Sequence, residues 1–282
     1  MATAEILQAE ARERPRMTIA AIVAGVFTLA GSLIGRIVAG SPPDNLPGAL
    51  LFYRDHQGSQ YLSAACSVIG AIAIAFVLDF LFRATRARNP ALPWQIRPLP
   101  WIGGIGVALF TIVYQVTLAV NVEHFATQGT QTYEEARKAI DAGVPPWLGL
   151  FVQLALALAI VMISINAMRA GLLTRFLGYL GVISGALFVL AFVPIPIVQV
   201  YWLGALAMLF AGRSPNGTPP AWQSGEAMPW PSPAEMREQR VRDAEARRGG
   251  DVDGSVAEPD DDEPNGSGPG PATSQRKKRK RR

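Results

Sequence analysis

The sequence predicts an all-α protein: a polytopic membrane helix bundle with six transmembrane helices and a disordered cytoplasmic C-terminal tail. Three observations carry that prediction. Half of the 282 residues are hydrophobic and 17% are charged, and the mean hydropathy is +0.21. The long apolar runs are confined to residues 17–212, whereas residues 213–282 are polar and rich in Pro, Gly and charge. Several runs reach the roughly 20 residues that a helix needs to cross a hydrocarbon core of about 30 Å. Such a composition excludes an ordinary soluble globular enzyme and a wholly disordered chain. A single cysteine, Cys66, excludes an intramolecular disulfide and a cysteine-based zinc cage. Two histidines, His56 and His124, leave few metal ligands, and no cofactor is expected.

Residues 1–16 form a segment before the first span. The first four spans are expected at 17–39, 61–82, 101–122 and 147–168. The apolar run that follows would be about 60 Å long as one helix, too long for one crossing. Pro194 and Pro196 break it, because each lacks a backbone donor and clashes with the preceding turn. The run is therefore divided into spans at 172–193 and 195–211. The last is short, so five spans plus a re-entrant segment is the competing arrangement. The first span exceeds the 7–15 apolar residues of a signal peptide and carries Arg36 near its end, so it is expected to be retained.

Basic residues set the orientation. Arg12, Arg14, Arg16, Arg83, Arg86, Arg88, Arg97, Arg169, Arg175 and Arg213 fall on one side. Arg54, Arg137 and Lys138 fall on the other, with Arg36 at the boundary. Both termini are then cytoplasmic. The even number of spans gives the same answer by a separate route.

The first outer loop, residues 40–60, has prolines and a glycine that exclude a long helix. Its Leu50, Leu51, Phe52 and Tyr53 suit the lipid interface or a cap on the bundle. In the second outer loop, Thr132 and Glu135 match a capping box, and Gly143 and Pro145 supply a stop. A short amphipathic helix over 133–142 is expected there, either a lid on the bundle or a partner-binding helix.

Ionisable and amide groups within spans are the natural candidates for function. Asp79 and Arg83 are four residues apart near the inner end of the second span and can pair on one helix face. Nearer the outer side, Arg36, Gln115, Gln153 and Gln199 lie on four spans at similar expected depth, with Asn121 and Glu123 closing the third. A lipid-facing amide would lack hydrogen-bond partners, so the glutamines are expected to face inward. They serve either as interhelical bonds or as a polar pocket open to the outside, with Arg36 as an anion anchor. The pairs Gly31/Gly35 and Gly181/Gly185 are small-xxx-small faces suited to close helix approach.

Beyond the spans, residues 213–248 are expected to form a juxtamembrane segment. Trp222 and Trp230 would sit at the headgroup level, and a charged helix would follow from Pro233 to about Arg248. Residues 249–282 should not pack as a core. Residues 251–263 carry seven acids and no base, and Arg276, Lys277, Lys278, Arg279, Lys280, Arg281 and Arg282 are consecutive bases. The 12-residue linker between the blocks spans about 19 Å if flexible, so the two can meet. A competing polyanion would displace the acidic block. Anionic lipid headgroups, an acidic protein and a nucleic acid are all suitable partners for the basic block, and a plain solvated tail is the simpler alternative.

The stretch RFLGYLGVISGALFVL at 175–190 resembles the late-span signature of uncharacterised bacterial, actinobacterial-type multi-pass membrane proteins of unknown function. The stretch GTPPAWQSGEAMPWPS at 217–232 is similar to the tail of related proteins. The resemblance covers about residues 17–232. It implies a six-span helical fold in a bacterial plasma membrane and brings no catalytic residues with it.

The expected role is an integral membrane protein that organises or senses, without catalysis. The alternatives are a small-solute transporter or channel using the outer polar layer, and a membrane-embedded enzyme. The last would need paired acids, a histidine cluster or an activated nucleophile at one depth, and no such constellation is legible.

Overall fold

A computed structural model of the chain describes residues 3–35, 40–141, 143–189, 196–214 and 217–230, together with 235, 237, 238, 241 and 242. The chain divides into two compact units, one through Trp230 and one from Pro231. Among the described residues every regular element is helical. In the first unit these are α1 (Thr3–Leu33), α2 (Leu46–Asp55), α3 (Gln57–Arg88), α4 (Leu99–Gln128), α5 (Tyr133–Ile140), α6 (Pro146–Arg169), α7 (Arg175–Val189), α8 (Ile197–Phe210) and α9 (Ala221–Ser224). A 3-10 turn, Trp94–Ile96, precedes α4.

Four helical stretches are long and apolar enough to cross a membrane: Ala4–Leu33, Gln57–Arg88, Trp94–Gln128 and Pro146–Arg169. The helices α7 and α8 are apolar but are described over only 15 and 14 residues, about 20 Å each. The segment before the first span is not separate from it. Helix α1 runs through Pro15, which removes only one interior hydrogen bond, so residues 3–16 extend the first span as one rod.

Six helices pack as a closed ring in the order α1, α3, α4, α6, α7, α8 and back to α1, and α3 also meets α6 across it. Residues of near-zero exposure fill the middle, among them Ile74, Leu78, Leu156, Ile160, Trp202 and Leu203. The outside is equally apolar. Ile19, Val26, Leu109, Val116, Val120, Phe151 and Leu158 are all exposed. A soluble monomer rarely shows so continuous an apolar surface, whereas lipid is its natural solvent.

Glycines set the closest approaches. On α4, the Cα of Gly103 faces the backbone of Leu156 on α6, and Gly104 faces Ala71 and Ala75 on α3. Two adjacent glycines thus seat one helix against two neighbours. Gly31 abuts Ser63 and Ser67, Gly181 abuts Ser164 and Trp202, and Gly185 abuts Val161. Both small-xxx-small faces contain residues used inside this chain.

Short helices close one end, called here the α5 end. Asn45 caps α2, its side chain accepting from Gly48 N at 2.7 Å. Thr132 caps α5, accepting from Glu135 N at 3.4 Å. Leu50 of α2, Ala136 and Ala139 of α5, and Leu118, Val122 and Phe125 of α4 form a separate small core. Helix α5 is therefore a lid on α4 and α2, ending two residues before the expected boundary. In the second unit the five described residues are helical and fall within the expected charged helix. Both charge blocks of the tail lie outside the described residues, as do Arg36, Pro194 and Ile195.

Candidate functional site

The opposite end is rich in arginine. It gathers the start of α1, the end of α3, the connection from α6 to α7, and residues 217–230. Asp79 and Arg83 pair as expected, with Nε donating to Oδ2 at 3.0 Å. They do not stand alone. Arg83 also holds Glu13 of α1 through both guanidinium tips, at 3.1 and 2.8 Å. Arg97 approaches the other oxygen of Asp79 at 3.6 Å. Because α1 continues below its apolar stretch, Glu13 reaches α3, and a same-helix pair becomes an interhelical network.

One step deeper lies a second pair. Arg88, the last residue of α3, has a side chain with no exposed surface. Its two tips donate to Glu10 at 2.6 and 2.8 Å, and the same side chain donates to the carbonyls of Ala221 and Ala84 at 2.8 and 2.9 Å. Such two-pronged pairing and further acceptors are what a buried guanidinium requires. Against this pair rests Trp222 of α9. Its ring centroid is 4.5 Å from the Arg14 guanidinium carbon and 5.3 Å from that of Arg88. Arg14 also donates to the Trp222 carbonyl at 3.2 Å. The indole N–H donates to Leu172 O at 2.9 Å, and Phe80 and Phe210 pack around the ring. Trp222 is thus both a cation–π platform and a hydrogen-bonded plug.

The chain then continues across the α6–α7 connection. Met228 N donates to Ala170 O at 3.2 Å, and Trp230 Nε1 donates to Leu173 O at 2.8 Å. Residues 217–230 therefore form a strap across this end. Trp222, expected at the headgroup level, is 3% exposed and part of the main core. The buried Arg88 guanidinium supplies an interior partner for its π face.

The candidate residues at the α5 end are dispersed. Gln115 accepts from the Tyr53 hydroxyl at 2.6 Å. Burial, followed by the neighbouring Tyr61 and Tyr114, pushes the Tyr53 phenol up to about 12. Glu123 is gripped by Arg54 through two bonds, at 2.9 and 3.1 Å, on the exposed rim. Asn121 donates to Ala139 O and so ties α4 to the lid. Gln153 departs from the inward-facing expectation. It is exposed and lines a cavity of about 670 Å³ with Phe110, Tyr114 and Arg137. Nor is it level with Gln115, since its neighbour Val152 meets Gly106. That places the two amides more than two helical turns apart. Gln199 is buried on α8, and its Nε2 has no hydrogen-bond partner among the described residues. His124, Glu135, Lys138 and Asp141 line a separate polar cavity of about 500 Å³ under the lid. Among the described residues no group of three His, Cys, Asp or Glu side chains is placed to hold a metal.

Sequence reasoning missed Glu10, Glu13, Arg88 and Trp222 as a site. A signal was present for the last. Pro219 and Pro220 precede Ala221, and Gly225 follows Ser224 with φ of 72°, the start and stop pattern of a short helix. Glu10 and Arg14 are four apart on a helix whose continuation into the span was not anticipated. In comparison with known proteins, no family model matches this chain, and no curated protein or solved structure matches it significantly.

Proposed function

We propose that this chain is a six-span protein of a bacterial plasma membrane, with both termini cytoplasmic, that organises or senses at the membrane without catalysis. Its working part in this reading is the basic tail, which engages a polyanion at the inner leaflet through Arg276, Lys277, Lys278, Arg279, Lys280, Arg281 and Arg282. Acidic protein and nucleic acid are the competing partners.

The strap is the observation that carries the reading. A chain that merely trailed from the last helix would not need a tryptophan buried against an interhelical Arg–Glu pair. Here the segment preceding the tail is tied to α1, α3 and the α6–α7 connection. Two further features support it. The middle of the ring is filled by side chains rather than lined by polar groups. The basic residues also crowd the arginine-rich end, the pattern of a cytoplasmic face.

The test uses full-length protein in nanodiscs of neutral lipid, mixed with vesicles containing phosphatidylserine. Flotation of the nanodiscs with those vesicles is expected, and it should be lost when the seven terminal bases are changed to glutamine. Equal flotation of both proteins would overturn the tail's role. A preference for RNA or an acidic protein over the vesicles would replace the lipid partner.

A solute pathway is the second reading, and one observation favours it: the buried Nε2 of Gln199 has no hydrogen-bond partner among the described residues. With Cys66 changed to alanine, Gln199→Cys should resist a membrane-impermeant thiol reagent on intact cells. Labelling there would favour the transporter.

A further inference from the structure

Beside α7 and α8, on the flank of the ring, lies a cavity of about 420 Å³. Phe176 and Tyr201 form one wall, their rings edge to face at 6.4 Å, and both are mostly exposed. Gly204 and Met208 continue the wall along α8, since residues at 201, 204 and 208 share one helix face. A side chain added at Gly204 would meet nothing within 4 Å, so the slot is open where that Cβ would stand.

The lining becomes polar at Thr174 and Ser214. Thr174 Oγ1 accepts from Leu177 N, which uses a lone pair and leaves the hydroxyl proton for an oxygen ligand. Ser214 is preceded by the exposed Arg213, whereas Arg175, next to Thr174, is turned to the strap and donates to Trp230 O at 3.5 Å. No carboxylate is among the residues that line the cavity. An apolar slot that ends in two hydroxyls, one of them beside an exposed arginine, is amphipathic in the same sense as a phospholipid with a negative headgroup.

We infer that this groove binds an anionic phospholipid, with one acyl chain along Tyr201, Gly204 and Met208 and the phosphate at Thr174, Ser214 and Arg213. A guanidinium attracts phosphate by charge and by its N–H donors, and a zwitterionic headgroup offers less net attraction. The inference rests on the membrane-spanning reading given above.

Native mass spectrometry of the full chain, delipidated in detergent, tests it. Phosphatidylglycerol and phosphatidylcholine of identical acyl chains are the probes. Wild type is expected to retain one phosphatidylglycerol at collision energies that strip phosphatidylcholine. Gly204→Leu fills the slot and should lose that adduct, whereas Gly58→Leu, also in open space but at the start of α3, should keep it. Arg213→Gln should erase the preference for phosphatidylglycerol. A thermal melt of each variant separates loss of fold from loss of site.

Equal retention of the two lipids by wild type would overturn the inference, as would an adduct that survives Gly204→Leu. Full competition by soluble glycerophosphoglycerol would show a headgroup site without the acyl slot and would overturn the occupant. Alkaline carbonate extraction of native membranes reports on the underlying reading. Release of the protein would remove that reading and the site with it, while retention alongside a failed lipid test would sink the site alone.

Discussion

Arg88 shows how one residue can serve two roles in a chain of this kind. In the sequence it is one of several loop arginines that orient the bundle. In the fold it is a fully buried ion with Glu10 as counter-charge and Trp222 across its face. Removing one member of a buried pair strands the other, at a cost of about 3–5 kcal/mol. Arg88→Met should therefore lower the melting temperature in detergent sharply. Glu10→Leu combined with Arg88→Met should recover much of the loss, and strictly additive effects would contradict the pairing. Tyr53 gives a pH-dependent counterpart at the α5 end. Its folded value of about 12 lies above the ordinary 10.0, so the fold favours the protonated phenol. That contribution is complete below pH 10 and is lost as pH rises through about 12. The difference between wild type and Tyr53→Phe in ultraviolet titration should show one phenol ionising near the upper value. A midpoint at the ordinary value would mean that Tyr53 is solvated.

At the scale of elements, the strap and the lid differ in how visible they are in sequence. The lid announces itself locally, because Thr132 and Glu135 cap α5 by a short-range bond. The strap depends on a distant surface. Gly171 is the point where the strap meets the α6–α7 connection. Its φ is +76°, and an added Cβ would collide with the carbonyl of Met228. Gly171→Ala should therefore strain the α6–α7 connection and dislodge the strap together. Protease cleavage between residues 214 and 230 should accelerate in that variant while the ring stays folded, and unchanged cleavage would show the strap to be independent of this contact. Gly103 tests the ring in the same way. A Cβ there would lie 2.5 Å from the backbone of Leu156, which cannot rotate away. Overpacking of this kind typically costs about 1–3 kcal/mol, so Gly103→Ala should melt earlier than wild type in detergent.

At the scale of the ring, an apolar interior is enclosed by an apolar exterior, with charge concentrated at its ends. That distribution makes the bilayer the natural solvent of the ring. Ser59 and Thr127 sit near the α5 end and report orientation. In a protein with Cys66 changed to alanine, single cysteines at both should react with an impermeant thiol reagent on intact cells. Protection at both, with normal expression, would invert the topology proposed above.

Much of the fold was legible because the signals are local. Four long apolar helices, the α5 lid and the Asp79–Arg83 pair follow from hydropathy, a cap and an i,i+4 spacing, each of which spans at most a few turns. The candidate sites were less legible. Gln115, Gln153 and Gln199 look equivalent when depth is counted along separate spans. Tilt and ring order instead give Gln115 a phenol, Gln153 an exposed flank and Gln199 a buried site. Backbone bonding and hydropathy act over one helix at a time, so the helical and lipid-compatible character of the chain can be read from its residues alone. The cluster of Glu10, Arg88 and Trp222, by contrast, arises from packing between distant segments. Its members are 78 and 134 positions apart in the chain (10 to 88, and 88 to 222), and nothing in the local pattern of charge or hydrophobicity sets which distant surface will desolvate an arginine.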